Sequence, residues 1–211
     1  MLNREDIEKL TYIDVETACI EKDLDSLKNK NPRLAEAWSK RCKYYRSAHL
    51  AYQEYTDDLI FLERASLEPE FSRIICVSFG VFDSNIPEGK RMMSFFGSSE
   101  IEILDKVNKV LNNSMVQKRK LCGHNIKAFD IPWDIDFVDT AEVFSFGSWT
   151  HQKTLSLDLL TCTMGVDSPK GSMDGSMVNE AYWNGRIEDI AKYCERDVIA
   201  VMEVMEKISF V

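Results

Sequence analysis

A chain of 211 residues with 45% hydrophobic side chains is long enough to bury one sizeable core, and one α/β domain over 1–211 is expected. A formal net charge of −9 excludes a general nucleic-acid coat, which draws its affinity from Lys and Arg neutralising phosphates, but not an enzyme that meets phosphate through cations. No apolar run reaches the roughly 18 residues of a membrane span, the amino terminus is too polar for a secretory leader, and six cysteines without Cys-x-x-Cys spacing read as buried thiols, so a cytoplasmic protein with no membrane partner is expected.

In chain order, Leu10 to Glu16 has the β-branched and aromatic content of a largely buried strand, with Asp14 and Glu16 at its carboxyl end. From about 25 to 67 the composition turns charged and Ala-rich, with Leu34, Ala37, Trp38, Cys42, Tyr45, His49 and Tyr52 at three- or four-residue steps. This predicts a helical insertion broken near Asp57. Arg73 to Phe82 and Arg91 to Phe96 predict a hairpin around the turn Asn85 to Gly89. Ser98 and Ser99 then cap a helix expected to present Ile101, Leu104, Val107, Val110 and Leu111 on one face. Lys120 to Cys122 reads as a short strand entering the turn Gly123-His124-Asn125, and residues 133–139 alternate like another strand. Helices are predicted over Ser156 to Met164, Asp174 to Trp183 and Ile187 to Lys207. Together these elements suit an α/β fold with a ribonuclease H-like, mixed five-stranded sheet flanked by helices and a helical insertion after the first strand.

Asp14 and Glu16 are two apart on a strand, so both aim at one face and can share a cation. In so acidic a chain about one or two Asp-x-Glu pairs arise by chance, and a solvated strand end explains such a pair equally well. Tyr193 and Asp197, four apart on the most amphipathic helix, share one helix face beside an apolar stripe, and alone they read as a surface pair. Asp130 follows a turn in which Gly123 permits the tight bend and Asn125 can cap a short helix. His124 reads as a hydrogen-bonded structural histidine rather than a base or zinc ligand.

As an ordered set these residues say more than they do singly. Ile13-Asp14-Val15-Glu16-Thr17, then His124 to Asp130, then Tyr193-Cys194-Glu195-Arg196-Asp197 resemble the three motifs of the DEDD superfamily of DnaQ-like 3'-5' exonucleases. Tyr193 is the mark of its DEDDy branch. Within that branch the chain is similar to stand-alone bacterial proteins related to the proofreading domain of family B DNA polymerases, which share the helical insertion, a Pro-Glu-Phe turn as at Pro69 to Phe71, and an Asp-Gly-Ser run as at Asp174 to Ser176. One departure stands out. In such proteins the helix of the second motif continues for several turns, whereas here Asp130-Ile131-Pro132 passes directly to Trp133, so a stretch of chain is expected to be missing after Pro132.

The resemblance implies a metal-dependent 3'-5' exonuclease that releases nucleoside 5'-monophosphates from nucleic acid 3' ends, with single-stranded DNA the first substrate. It implies Asp14, Glu16, Asp130 and Asp197 as ligands of two divalent cations, Mg²⁺ or Mn²⁺, whose four positive charges match four carboxylates. Tyr193 completes the catalytic set as an orienting phenol, since its ordinary pKa of about 10 makes it a poor base. Thr17, Asn125 and Phe129 are the expected substrate contacts. Two alternatives remain: an exoribonuclease of the same superfamily, and an inactive binding module using the aromatics Trp38, Tyr44, Tyr45, Tyr52 and Tyr55.

Overall fold

The protein is described by a computed structural model over residues 3–126, 136–144, 155–171 and 173–209. Asp130 and Phe129 lie outside these described residues. The stretch expected to be missing after Pro132 likewise falls outside the described residues.

Five strands, β1 (Leu10–Cys19), β2 (Ser72–Phe82), β3 (Lys90–Phe96), β4 (Lys120–Gly123) and β5 (Phe137–Asp139), form one sheet in the order β3-β2-β1-β4-β5. β1 runs antiparallel to β2 and β2 to β3, whereas β1 and β4, and β4 and β5, are parallel. This is the mixed sheet of a ribonuclease H-like exonuclease fold. The central strand is longer than its sequence pattern suggested, because Thr17 to Cys19 continue pairing with β2, so Asp14 and Glu16 sit in mid-strand rather than at its end.

The described helices are α1 (Arg4–Glu8), α2 (Leu24–Lys30), α3 (Pro32–Ala48), α4 (Asp57–Arg64), α5 (Glu100–Val116), α6 (Thr140–Phe144), α7 (Leu157–Met164), α8 (Val178–Trp183) and α9 (Ile187–Ser209). α2 to α4 are the predicted insertion. Asn31 closes α2 and caps α3 through a bond from Leu34 N, Pro32 supplies the fixed φ of a first helical position, and Thr56 caps α4, placing the break where it was expected. Trp38 holds the insertion together, with its ring 5.3 Å from Phe61 and 4.8 Å from Phe71 and its Nε1 donating to Asp57 O. Trp38 and Tyr45 are buried, and Tyr52 and Tyr55 pack against them. Tyr44 alone of the five is exposed, so they do not form an open aromatic face.

α9 carries the stripe Ile190, Ala191, Cys194, Val198, Val201, Met202 and Met205, all buried on the sheet. It packs tightly on β2 at Gly80, where an added Cβ would stand 2.7 Å from Met202 Sδ and 2.8 Å from Val198 Cγ1. α5 covers the opposite face, burying Ile103 and Val107 against Val77 and Phe79. Here the expected face is corrected: Ile101 is 74% exposed and Leu104 is exposed as well. Ile103, Val107 and Ser114 are buried, Val110 and Leu111 pack half-buried beside them as expected, and Ser114 meets the buried Thr11 hydroxyl at 3.0 Å. Five of the cysteines are buried as expected, but Cys162 on α7 is exposed.

Candidate active site

Alternate residues of a strand face opposite sides. Tyr12 and Ala18 pack under the α9 side of the sheet, while Ile13 and Val15 join the cluster under α5. Asp14 and Glu16 therefore face α9. The register with β2 slips between Glu16 and Thr17, an irregularity of the kind that re-aims side chains at active sites. From α9, Tyr193 and Asp197 rise on one helix face toward the same place, and both are buried. One carboxylate oxygen from each of Asp14, Glu16 and Asp197 lies within 4.8 Å of the others.

Three carboxylates this close oppose one another's ionisation. Burial, then the charges of Asp14 and Asp197, hold the Glu16 carboxyl well above the usual range. Burial likewise pushes Asp197 up to about 6, against the opposing influence of Tyr193, Arg196 and Lys170. Burial, followed by the negative charges of Asp197 and Glu16, raises the Tyr193 phenol further above its ordinary value. The phenol is thereby held in its protonated form beside Asp197, where it can donate a hydrogen bond.

Helix α9 is fixed in this register by polar contacts beside the apolar stripe. Cys194 Sγ donates to Asp14 O at 3.4 Å, tying the helix to the very residue whose carboxylate it faces. Glu195 accepts from Ser94 Oγ at 2.5 Å, and Ser94 meets Ser78 across β2 and β3 at 2.9 Å. A Cβ on Gly175 would lie 3.8 Å from Tyr193 Oη, which places the Asp174-Gly175-Ser176 turn against the phenol.

The segment that carries this helix matches a known family. Residues 133–209 match predicted 3'-5' exonucleases related to the exonuclease domain of PolB. No curated protein and no solved structure matches the chain. The matched part includes Tyr193 and Asp197 but not β1, so the exonuclease resemblance and the position of Asp14 and Glu16 opposite that helix are separate observations that meet in one site.

The donor set suits the cations that such an exonuclease would employ. Among the described residues, only carboxylate oxygens converge here, the hard ligands of Mg²⁺ and Mn²⁺ rather than the thiolate and imidazole of zinc sites. Burial keeps the neighbouring Cys194 thiol protonated and out of that set. The mutual repulsion of these groups is what a cation relieves.

His124 is the structural histidine expected: Nδ1 lies 2.9 Å from Thr140 Oγ1 and Nε2 2.7 Å from Leu155 O, and burial depresses its pKa. The backbone of Asn125 is left-handed (φ 59°), a conformation Asn tolerates, and its N–H donates to the buried Asp139 carboxylate at 2.8 Å, while the short helix it was expected to cap lies outside the described residues. Gly123 is required just before it, because a Cβ there would stand 2.7 Å from Ile13 O and collide with Ile126. Asn125 lines a mostly apolar cleft of about 440 Å³ together with Ile13, Val15, Leu104 and Ile126, and Asp14 and Glu16 are also among its lining residues. Thr17 reaches both this cleft and a second groove, while its hydroxyl donates to Ser66 O at 2.6 Å.

Sequence reading missed Asp139, Arg196 and Lys170. Asp139 Oδ1 accepts from both Asn125 N and Ala141 N, bracing the turn after β4. The charges of Arg196 and Lys170 both favour the ionised form of Asp197. Arg196 stood inside the third motif beside Asp197 and was legible there; Lys170 arrives from a distant loop and carried no signal.

Proposed function

We propose that the chain, acting as one domain over 1–211, is a metal-dependent 3'-5' exonuclease that removes nucleoside 5'-monophosphates from the 3' end of single-stranded DNA. The convergence of Asp14, Glu16 and Asp197 within 4.8 Å carries this reading, and the exonuclease resemblance of residues 133–209 gives it direction. These three carboxylates, with Asp130 as the fourth, would hold two divalent cations, Mg²⁺ or Mn²⁺. Bound there, such ions acidify the attacking water and offset negative charge on the phosphodiester oxygens.

The chain's own groups supply position. Tyr193, protonated and beside Asp197, donates a hydrogen bond that orients the nucleophilic water. Asn125 and the apolar cleft receive the terminal nucleoside, whose base and sugar suit its Ile and Leu walls, with Thr17 and Phe129 as further contacts. Burial of the site removes competing water and strengthens every electrostatic contact within it.

The test is digestion of a single-stranded oligonucleotide labelled at its 5' end, with Mg²⁺, Mn²⁺ or chelator, beside a matched RNA. A ladder that shortens from the 3' end only with metal, releasing 5'-monophosphates, is the expected result. Cleavage in chelator, internal nicking, or digestion of the RNA alone would overturn the reading as stated.

A further inference from the structure

The site opens on a second side. A groove of about 790 Å³, within the range of ligand sites, leads away from Glu16 between the helical insertion and α8. Thr17 lies between this groove and the terminal-nucleoside cleft, since it lines both. Two ties fix the walls: Thr17 Oγ1 to Ser66 O joins β1 to the insertion, and Cys19 N to Asn179 Oδ1 at 2.9 Å joins β1 to α8.

The groove wall carries hydrogen-bond donors that the fold does not use. Nε of Arg64 and Nε1 of Trp183 are buried and have no acceptor among the described residues, although both residues line the groove. Lys22 lines it too and is exposed. Burying such donors without acceptors is unfavourable, so these groups are set to meet acceptor oxygens brought by a ligand. Trp183 of α8 and Tyr52 of the insertion also line the groove, and Glu63 and Glu180 beside them would repel a ligand that crowded phosphates densely.

We propose that this groove is the path of the DNA single strand on the 5' side of the bond to be cut: Arg64 and Lys22 each meet one phosphate, and a base stacks on Trp183. The inference rests on the exonuclease reading for its choice of ligand. Division of labour between the two openings follows from their linings. The smaller, apolar cleft suits one nucleoside, whereas the larger groove, with two cations and two aromatic rings, suits a continuing chain of alternating phosphates and bases. Two phosphate contacts predict a shallow salt dependence, because each contact on a single strand contributes a slope of about −0.7 in log K against log salt.

The experiment is equilibrium binding of an oligothymidylate to the full chain in chelator, where nothing is digested, read by tryptophan fluorescence and by anisotropy of a labelled strand across a salt series. The wild type should bind with a slope near −1.4, set by two contacts of about −0.7 each, and its fluorescence should fall on binding. Trp183→Phe should abolish that fall. Lys22→Ala and Arg64→Ala should each weaken binding several-fold at low salt and flatten the slope by about 0.7, and Arg64→Lys should restore the slope. Lys22→Ala removes an exposed side chain with no packing role, so it stands as evidence even if Arg64→Ala disturbs the insertion. Unchanged slopes in the lysine and arginine variants, or quenching that survives Trp183→Phe, would overturn the groove. A chain that binds with these signatures but digests nothing when given Mg²⁺ or Mn²⁺ would overturn the exonuclease reading and leave the groove standing.

Discussion

Asp14, in mid-strand and opposite α9, contributes one of the three converging oxygens, so Asp14→Ala should lower metal-dependent digestion by on the order of 10³-fold, the weight of several kcal/mol of charge stabilisation. Circular dichroism should show the fold retained, because the same change relieves repulsion. Digestion at the wild-type rate would remove Asp14 from the site. Tyr193→Phe deletes a donor and nothing else; the lost hydrogen bond to a charged group should slow single-turnover cleavage by about 10- to 100-fold with metal affinity little altered, which a metal titration alongside the rates checks. The pH dependence of stability belongs at this scale too. Asp197 has its carboxyl raised to about 6 by burial, so the native metal-free protein binds more protons than the unfolded chain above the ordinary value of 3.8. Its unfavourable contribution is absent below that value and complete above about 6, roughly 3 kcal/mol for the whole interval. Denaturant titrations at pH 4.5, 5.5 and 7 in chelator should therefore show stability falling with pH more steeply in the wild type than in Asp197→Asn; parallel curves would contradict the burial argument.

Among the elements, α9 is the one on which both core and site depend. Gly80→Ala would drive a methyl against Met202 and Val198, and overpacking of this kind typically destabilises by about 1 to 3 kcal/mol, here with the added loss of Asp197 alignment. Urea unfolding and cleavage rate should fall together; a stable but inactive variant would mean that the helix shifts rather than loosens. The same helix was also the most legible part of the sequence. Its stripe from Ile190 to Met205 revealed the buried face, and the four-residue step from Tyr193 to Asp197 put both groups on one side of the helix, although the surface pair that step alone suggested is buried. On α5, Val107, Val110 and Leu111 were assigned to the packed face and lie there, but Ile101 and Leu104 were chosen where Ile103 belongs, because either set fits a three- or four-residue pattern and only the position of β2 decides between them. Asp14 and Glu16 were assigned to the correct face but to the strand's end, since Thr17 to Cys19 owe their pairing to β2 and no local pattern announces it. The left-handed backbone of Asn125 is likewise set from outside, by the carboxylate of Asp139.

For the molecule as a whole, metal and fold should be linked. A cation that binds the converged carboxylates and not the unfolded chain adds RT ln(1 + [L]/Kd), about 2.7 kcal/mol at a hundred times Kd. Mg²⁺ or Mn²⁺ at pH 7.5 should thus raise the melting temperature of the wild type by several degrees and leave that of Asp14→Ala nearly unmoved, as differential scanning fluorimetry would report. Equal rises in both would place the stabilising ion elsewhere. The meeting of Asp14 with Asp197 also bears on the order of events in folding. The two halves of the site come from β1 and α9, and Cys194 bonds the Asp14 carbonyl across 180 positions of sequence. A chain whose α9 has yet to dock on the sheet lacks a complete cation cage, so hydrolytic capacity would follow that long-range contact and no local element could confer it earlier.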